Sequence, residues 1–365
     1  MLRAGGHGVD EFILEPASRS GVTARWPGNA VWNFQATAAL AQKIEAFRPD
    51  VTHVHTPFPL LSPAVFRTSS RLGVPAVTTV HSYRYSCVVG TCLRDGSPCE
   101  DCIGKVVKLP GIRHRCYHDS LGASSALTLS LATHRLIGTF DRHVARFIAL
   151  TEFAADMLVR DGMPADRVVV KPNSVPDPGP RVPRTGAFSF ALFAGRLVEE
   201  KGIRTLLQAW RDVPPGVDLT IAGDGPLRQL VEDEARSNPA ITYVGWVDDA
   251  TMSHLLSAAD LLVFPSEWYE AQPLIILQAF AAGTPIVCSD LENICRQVLK
   301  AGAGAAFETR RPAALAREVG ALAGSLETLG AQGTAARAAY DALHTPARCL
   351  TALETIYSDV LSAPA

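Results

Sequence analysis

The sequence predicts an α/β protein made of two domains with parallel sheets, and three observations lead to this prediction. The chain has 365 residues, which is more than one hydrophobic core usually holds. Short β-rich runs alternate with helical runs along the chain, a pattern typical of βαβ units. Residues 176–186 contain four prolines and two glycines, a composition typical of a linker. We therefore expect one domain over residues 1–180 and a second over residues 181–345.

In the first domain, runs of β-branched and apolar residues are separated by longer stretches with helical periodicity. These runs predict strands at Gly8–Leu14, Asp50–His55, Ala76–His81, Phe147–Thr151 and Val168–Lys171. The stretches between them predict helices at Trp32–Phe47, Leu61–Leu72, Leu121–Thr139 and Phe153–Asp161.

The second domain repeats the alternation with clearer spacing. Strands are predicted at Phe188–Ala194, Val217–Ala222, Ile241–Val244, Leu261–Phe264 and Pro285–Cys288. Helices lie between them, including Gly202–Arg211 and Pro226–Ser237, where proline would occupy the first turn. The tail after Pro312 is predicted to be mostly helical.

The composition and charge of the chain limit the classes of molecule that we expect it to bind. The net charge of -2 gives no reason to expect nucleic acid. Residues 1–180 carry 19 Lys and Arg against 15 Asp and Glu, and eight of the ten histidines. This asymmetry suits an anionic acceptor or a membrane surface, or it is ordinary surface variation. Met1 to Leu14 lacks a secretory signal, and Ala123–Phe140 is too polar to span a membrane. We therefore expect a cytoplasmic protein, either free or peripheral at the inner face of the membrane.

A glycine and two cations follow the first strand of the second domain, in the segment F-A-G-R-L-V-E-E-K-G from Phe193 to Gly202. Arg196 and Lys201 would lie at the carboxyl end of a parallel strand, where such sheets bind ligands. Cations there can neutralise the charge that grows on a diphosphate leaving group. The alternative is an exposed loop with two solvated charges.

Two further segments indicate an anion site. In I-A-G-D-G-P-L, Gly223 and Gly225 allow a tight turn and close backbone approach to a ligand, although most such turns are only turns. The segment from Phe264 to Val287 places a polar S-E-W-Y-E cluster before a helix that starts near Pro273. The free amides of its first turn, such as that of Leu274, would face an anion. Glu270 could accept hydrogen bonds from sugar hydroxyls, and Gln278 could reach a ribose.

These three segments, in this order, resemble the donor site of family-4 glycosyltransferases with the GT-B fold of two facing Rossmann-like domains. Segments of the first half are similar to this family as well: H-V-H-T-P-F-P-L-L-S-P, T-T-V-H-S-Y, F-I-A-L-T-E-F and V-K-P-N-S-V. The resemblance covers nearly the whole chain. It implies a retaining, metal-independent transfer from a nucleotide sugar to a polysaccharide, glycolipid or small acceptor. It also implies that the last helix, residues 346–365, crosses back to the first domain.

The resemblance further implies roles for individual residues. Arg196 and Lys201 match the family's diphosphate binders, and Glu270 matches the first glutamate of an E-x7-E motif that binds the donor sugar. His81 matches a histidine that faces the transferred sugar. These four are the candidate catalytic residues. The candidate donor-binding residues are Gly195, Arg196, Lys201, Gly223, Gly225, Gln272, Pro273, Leu274 and Gln278.

The chain departs from the family's pattern at three places. The family opens with a strand and a glycine-rich loop before a G-H-x-V segment, whereas here G-G-H-G-V begins at Gly5. We therefore expect the first strand of the N-terminal domain to be missing, through a start upstream of Met1 or a damaged copy. Gln278 replaces a glutamate, which should weaken donor binding because a charge is lost. The segment Ser289–Val298 lacks the usual glycine and glutamate.

These departures leave two other functions open. The first is a non-catalytic relative that binds a nucleotide or a partner protein. The second is a different GT-B enzyme, such as a sugar-nucleotide epimerase. The resemblance of the R-x4-K and E-x7-Q pair to the transferase motifs argues against this second function.

Five of the eight cysteines fall between Cys87 and Cys116, in an insertion expected over residues 83–120. A C-x2-C pair with two further cysteines suits a structural zinc site made of Cys87, Cys99, Cys102 and Cys116. The surrounding R-D-G-S-P-C-E-D-C and H-R-C-Y segments resemble an insertion in one branch of the family. The alternative is a set of reduced thiols in a partly ordered loop.

Overall fold

The computed structural model describes residues 1–14, 27–179, 181 and 188–363. The chain divides into two compact units. The first unit comprises Met1–Arg94, Cys99–Pro172 and Leu350–Ala365, and the second comprises Asp95–Pro98 and Asn173–Cys349. Most of the linker predicted over residues 176–186 lies outside the described residues.

Between Thr52 and Val170 the described chain forms the strands β1 Thr52–His55, β2 Ala76–Val80, β3 Leu93–Arg94, β4 Ser97–Pro98, β5 Arg146–Ala149 and β6 Val168–Val170. The main sheet of the first unit, as described, is parallel in the order β1-β2-β5-β6. All five residues of β2 are buried, as expected for an inner strand of a parallel sheet. The predictions for these four strands are confirmed to within two residues at each end.

The strand predicted at Gly8–Leu14 is wrong. This segment has no strand pairing in the described structure, and most of its residues are exposed, with Ile13 at 70%. Asp10 instead forms an ion pair with Lys43 at 2.9 Å. An apolar run is not enough for a strand, because a strand also needs a neighbour that satisfies its backbone groups.

The helices of the first half are α1 Pro27–Val31, α2 Phe34–Phe47, α3 Ala64–Arg71, α4 Leu109–Arg113, α5 Leu121–Leu136, α6 Thr139–His143 and α7 Glu152–Arg160. Three of them begin after a polar residue whose side chain accepts a hydrogen bond from the amide three residues later. These caps are Asn33, Ser120 and Thr151, at 3.0, 3.2 and 3.1 Å. The four helices predicted here are confirmed, with ends shifted by up to three residues.

The second unit contains the strands β7 Phe190–Ala194, β8 Asp218–Ala222, β9 Ile241–Gly245, β10 Leu261–Phe264, β11 Ile286–Ser289 and β12 Gly304–Phe307. Within the described residues they form one parallel sheet in the order β12-β11-β10-β7-β8-β9. Neighbouring residues of β7 point to opposite faces, so Phe193 belongs to one core cluster and Leu192 to another. Helices pack on both faces, as a doubly wound sheet requires.

The remaining helices are α8 Ile203–Ala209, α9 Arg228–Ser237, α10 Asp249–Ala258, α11 Leu274–Ala282, α12 Glu292–Lys300, α13 Pro312–Ala323, α14 Leu326–Leu343 and α15 Pro346–Ser362. The prediction that Pro226 lies in the first turn of a helix is wrong. The helix starts two residues later, because the Leu227 amide donates to the Leu197 carbonyl at 2.9 Å and holds this segment against the β7 loop. The helical tail after Pro312 is confirmed.

Most of α15 belongs to the first unit. Leu353 and Val360 pack in one apolar cluster with Val77 of β2 and Ile148 of β5. The Tyr357 hydroxyl lies 2.6 Å from Nδ1 of His53. The chain therefore returns to the first sheet at its C-terminal end.

Candidate functional site

The loops that follow β7, β8 and β10 meet at the carboxyl edge of the second sheet, and glycines permit the contact. A Cβ added to Gly223 would lie 1.9 Å from the carbonyl oxygen of Gly195. At Gly202 a Cβ would lie 1.9 Å from the Pro265 carbonyl oxygen, and the backbone there has a φ of +71°. Only glycine fits these two positions, so the loops pack backbone against backbone.

The central feature of this edge is an ion pair between Lys201 and Glu270. The Lys201 Nζ lies 2.6 Å from Oε1 of Glu270, and the two side chains are 16% and 11% exposed. The Ser266 hydroxyl donates to the same carboxylate oxygen at 2.8 Å. The Lys201 Nζ also lies 5.4 Å from the ring centroid of Phe264, close enough for a cation–π contact. The structure thus brings together two predicted site residues that are 69 positions apart in sequence.

Arg196 follows Gly195 at the end of β7, and its side chain is 62% exposed. Its Nη2 lies 3.5 Å from Oε1 of Glu200. An exposed pair at this distance is weak, so the guanidinium can turn towards an anionic ligand at little cost.

The helix α11 begins at Leu274, after Pro273, and ends at Gly283, whose φ of +65° makes it a left-handed cap. The Ile276 amide donates to the carbonyl of the cap residue Pro273 at 3.2 Å, whereas the preceding amides of Leu274 and Ile275 are the ones that a helix start directs towards a ligand. Gln278 lies one turn further along and is half-buried. The side-chain oxygen of Gln272 accepts from the Asn173 backbone amide at 2.7 Å, which leaves the Gln272 NH₂ group to donate to a bound nucleotide sugar.

Two residues without a predicted role, one of them the first of the S-E-W-Y-E cluster, also shape this site. Ser266 contacts the Glu270 carboxylate, and the Asn293 side-chain amide donates to the Glu270 carbonyl at 2.9 Å. Ser266 could have been found, because its hydroxyl directly follows the F-P end of a buried strand. Asn293 is on α12, which comes after the next strand, so no local pattern links it to Glu270.

In the first unit, His81 directly follows β2 and forms a cluster with two histidines of β1. The His81 Nε2 lies 2.8 Å from Nδ1 of His55, and the rings stack with centroids 5.1 Å apart. His55 stacks in turn on His53, with centroids 4.3 Å apart. His55 and His81 are exposed, whereas His53 is half-buried.

The environment keeps these three imidazoles uncharged. Desolvation, followed by the charges of His55, Lys171 and His81, lowers the pKa of His53 to about 3. Desolvation, with His81 and Lys171, lowers the pKa of His55 to about 4. The pKa of His81 is also lowered, first by desolvation and then by Lys171.

The cysteines predicted to bind zinc, Cys87, Cys99, Cys102 and Cys116, line one cavity in the insertion. Within the described chain, however, no three His, Cys, Asp or Glu side chains are arranged to hold a metal ion. A hydrogen bond with the Cys92 thiol lowers the pKa of the Cys87 thiol to about 6, and burial raises the pKa of Cys102 to about 11. The predicted zinc site is therefore not confirmed.

No helix among the described residues is long and apolar enough to cross a membrane.

Comparison with protein families gives two matches that follow one another along the chain. The family model described as Glycosyltransferase Family 4 matches residues 4–177. The model described as Glycosyl transferases group 1 matches residues 189–325.

Curated relatives match over part of their length. Glycogen synthase of Mycobacterium tuberculosis is 38% identical over 145 residues, which is 38% of this chain and 34% of that protein. Phosphatidyl-myo-inositol mannosyltransferase of the same organism is 36% identical over 124 residues, 33% of this chain and 32% of that protein. The matched region thus spans about a third of these relatives.

Solved structures show the same fold at low identity. HepE of Anabaena, determined in complex with UDP, is 15% identical with a TM-score of 0.62, covering 88% of this chain and 82% of that one. A glycosyltransferase from Rickettsia africae is 14% identical with a TM-score of 0.66, covering 94% and 85%. These likenesses, with the two parallel sheets, identify the GT-B fold.

Proposed function

Because the chain belongs to glycosyltransferase family 4, we propose that it moves a sugar from a nucleotide-sugar donor to an acceptor hydroxyl with retention of anomeric configuration. The observation that carries the proposal is the Lys201–Glu270 pair at the carboxyl edge of the second sheet. The pair supports the proposal because a cation suited to a diphosphate lies beside a carboxylate suited to sugar hydroxyls. The complex of HepE with UDP supports a nucleotide donor for this fold.

In the proposed reaction, the bond between the anomeric carbon and the diphosphate oxygen breaks, and its electron pair leaves with the diphosphate. Arg196, Lys201 and the first amides of α11 neutralise that charge without requiring a metal ion. Glu270 accepts hydrogen bonds from the donor sugar. The acceptor oxygen bonds to the same face of the anomeric carbon, and its proton passes to the departing diphosphate.

We propose a carbohydrate or glycolipid as the acceptor. Glycogen synthase and phosphatidyl-myo-inositol mannosyltransferase are named for a polysaccharide and a lipid, so the relatives support both classes.

We also propose that the protein is located in the cytoplasm, either free or at the inner face of the membrane. Sedimentation of the protein with anionic vesicles tests the second option, and failure to sediment at low salt would reject it.

The test of the proposal is a transfer assay with a panel of nucleotide sugars and sugar acceptors. We expect one donor to release its nucleoside diphosphate, and NMR of the product to show the donor's anomeric configuration. Lys201→Met should remove this release, whereas Arg204→Met, at an exposed residue paired with Glu199, should retain it. A folded protein that releases no diphosphate from any donor would favour the non-catalytic alternative.

For the Cys-rich insertion we propose a structural zinc ion held by Cys87, Cys99, Cys102 and Cys116. Their shared cavity supports it, although the sulfurs would have to turn towards one centre. Elemental analysis should find about one zinc per chain, and a chelator should lower the melting temperature. Cys102→Ser should lose the zinc and Cys92→Ser should keep it. A metal-free protein with unchanged stability in chelator would reject the site.

A further inference from the structure

We infer that His55 is a positioning residue for His81: it holds the His81 ring in one orientation and one neutral tautomer. The significance for catalysis rests on the proposed function, in which His81 faces the transferred sugar. The pairing of the two rings does not depend on that function and can be tested separately.

The sheet brings the two rings together. His55 is the last residue of β1, and β1 pairs in parallel with β2 so that His55 lies beside Thr79. His81 comes two residues after Thr79, at the same carboxyl edge. The His55 Nδ1 and the His81 Nε2 are 2.8 Å apart. A neutral imidazole has one donor and one acceptor nitrogen, so one ring must donate across this contact and the other accept, and the tautomer of His81 is tied to that of His55.

His53 provides a rigid support for this pair. Its Nδ1 lies 2.6 Å from the Tyr357 hydroxyl, and its Nε2 lies 2.7 Å from Oγ1 of Thr79. With both nitrogens bonded, the His53 ring cannot rotate without breaking a hydrogen bond. His55 stacks on this ring with an interplanar angle of 19°. His53, held by its two hydrogen bonds, therefore orients His55, and His55 in turn orients His81.

The charged and titratable groups facing the pair favour the neutral state. His53 on β1 stacks on His55, Lys171 after β6 acts on both rings of the pair, and Tyr357 on α15 contacts His53 behind them. Lys171 opposes a positive charge on either imidazole, and it lowers the pKa of both. If both rings were protonated, two N–H donors would face each other across 2.8 Å. The hydrogen bond between them thus requires at least one neutral ring.

The distance between these two nitrogens is that of a hydrogen bond and is shorter than the distance between two ligands of a tetrahedral metal ion. An ion bound to both would need about 2 Å to each nitrogen, with the nitrogens well over 3 Å apart. The observed separation of 2.8 Å is that of a direct hydrogen bond.

The experiment uses the full chain with ¹⁵N-labelled histidine and follows the His81 ring nitrogens by NMR between pH 5 and 8. In the unaltered protein we expect His81 to stay in one neutral tautomer down to a lower pH than a free imidazole does. In His55→Ala its pKa should move up towards 6.5, because water replaces the lost ring, and its two tautomers should mix. In His55→Asn, whose amide reaches the position of Nδ1, the single tautomer should return. His254→Ala, at an exposed histidine of the second unit, is the control.

Kinetics give a second readout. His55→Ala should lower kcat roughly 10- to 100-fold with a smaller change in KM, and His55→Asn should recover most of the loss. In His55→Ala the acid limb of the profile of kcat against pH should move to higher pH. If the tautomer and pKa of His81 are unchanged in His55→Ala, the inference is wrong even in an active enzyme. If the NMR changes occur in a protein without transferase activity, the positioning holds and the proposed function fails.

Discussion

Glu270 and Lys201 are each other's partners before any ligand binds. Both side chains are mostly buried, and Ser266 adds a hydrogen bond to the carboxylate. A diphosphate would compete with Glu270 for the Lys201 ammonium, and a sugar would compete with Lys201 for the Glu270 oxygens. The pair therefore keeps two charges ordered and mutually neutralised until a ligand that carries both groups replaces the contact.

Glu270→Gln separates the two roles. The variant keeps an acceptor oxygen for Ser266 but removes the charge that holds Lys201. We expect kcat/KM to fall about 10- to 100-fold, because hydrogen bonds to a charged group are stronger than neutral ones. The Kd of the bare nucleoside diphosphate, measured by calorimetry, should stay equal or decrease, since Lys201 is released. A Kd that rises as much as kcat/KM falls would show that Glu270 binds the nucleotide portion.

For individual residues of the site, the sequence predicted the charged side chains but not the residues that hold them in place by hydrogen bonds. Lys201 and Glu270 belong to segments whose order along the chain is characteristic of family-4 glycosyltransferases. Asn293 reaches the Glu270 carbonyl only because α12 folds back beside that loop. The hydrogen bond that occupies the Gln272 oxygen depends likewise on Asn173, which lies 99 residues away. Contacts of this kind follow from tertiary packing, so a single sequence does not contain them as a pattern.

Among the structural elements, the loops after β7 and β8 depend on their close contact at Gly223. A methyl group there would collide with the Gly195 carbonyl, and both atoms belong to backbone that also shapes the site.

We predict that Gly223→Ala destabilises the second unit by about 1–3 kcal/mol and removes nucleotide binding. Gly330→Ala, in α14 with no atom within 4 Å of the added Cβ in the described structure, is the matched control. It should be neutral or slightly stabilising, because alanine suits a helix better than glycine. Thermal unfolding and calorimetry measure both effects. Unchanged binding in Gly223→Ala would refute the role of this backbone contact.

The Cys-rich insertion is anchored to the first unit by a buried set of charges. Asp161, directly after α7, pairs with Lys108 of the insertion at 2.5 Å and with Arg135 of α5 at 2.6 Å. Asp161 Oδ1 also accepts from the Gly104 amide at 2.7 Å. Burial lowers the pKa of Lys108, and the Asp161 carboxylate opposes that effect. Removing the carboxylate would leave two cations without their counter-charge.

Asp161→Asn should therefore cost about 3 kcal/mol, the usual result of removing one partner from a buried ion pair. A loss of this size corresponds to a fall in melting temperature of roughly 6–12 °C. Asp166→Asn, at an exposed residue just after α7, should change it by less than about 2 °C. Equal melting temperatures for the two variants would mean that the anchor does not stabilise the unit.

For the whole molecule, the sequence predicted the two-unit α/β architecture and most strand positions, because buried parallel strands are short apolar runs between helices. The run Gly304–Phe307 escaped notice, since G-A-A-F contains no β-branched residue. Its glycine is required by position instead: a Cβ at Gly304 would lie 1.8 Å from the Ile286 carbonyl oxygen of β11. The error at Gly8–Leu14 has the opposite origin, an apolar run without a neighbouring strand.

The measurement that tests the central claim most directly is the melting temperature of the full chain against a panel of nucleoside diphosphates and nucleotide sugars. A ligand at about a hundred times its Kd should add roughly 2.7 kcal/mol of stability. We predict a clear rise with nucleotides of one base for the unaltered protein and for Arg204→Met, and none for Lys201→Met. If no nucleotide raises the melting temperature of the folded protein, or if Lys201→Met responds equally, the second unit does not hold a donor through this pair.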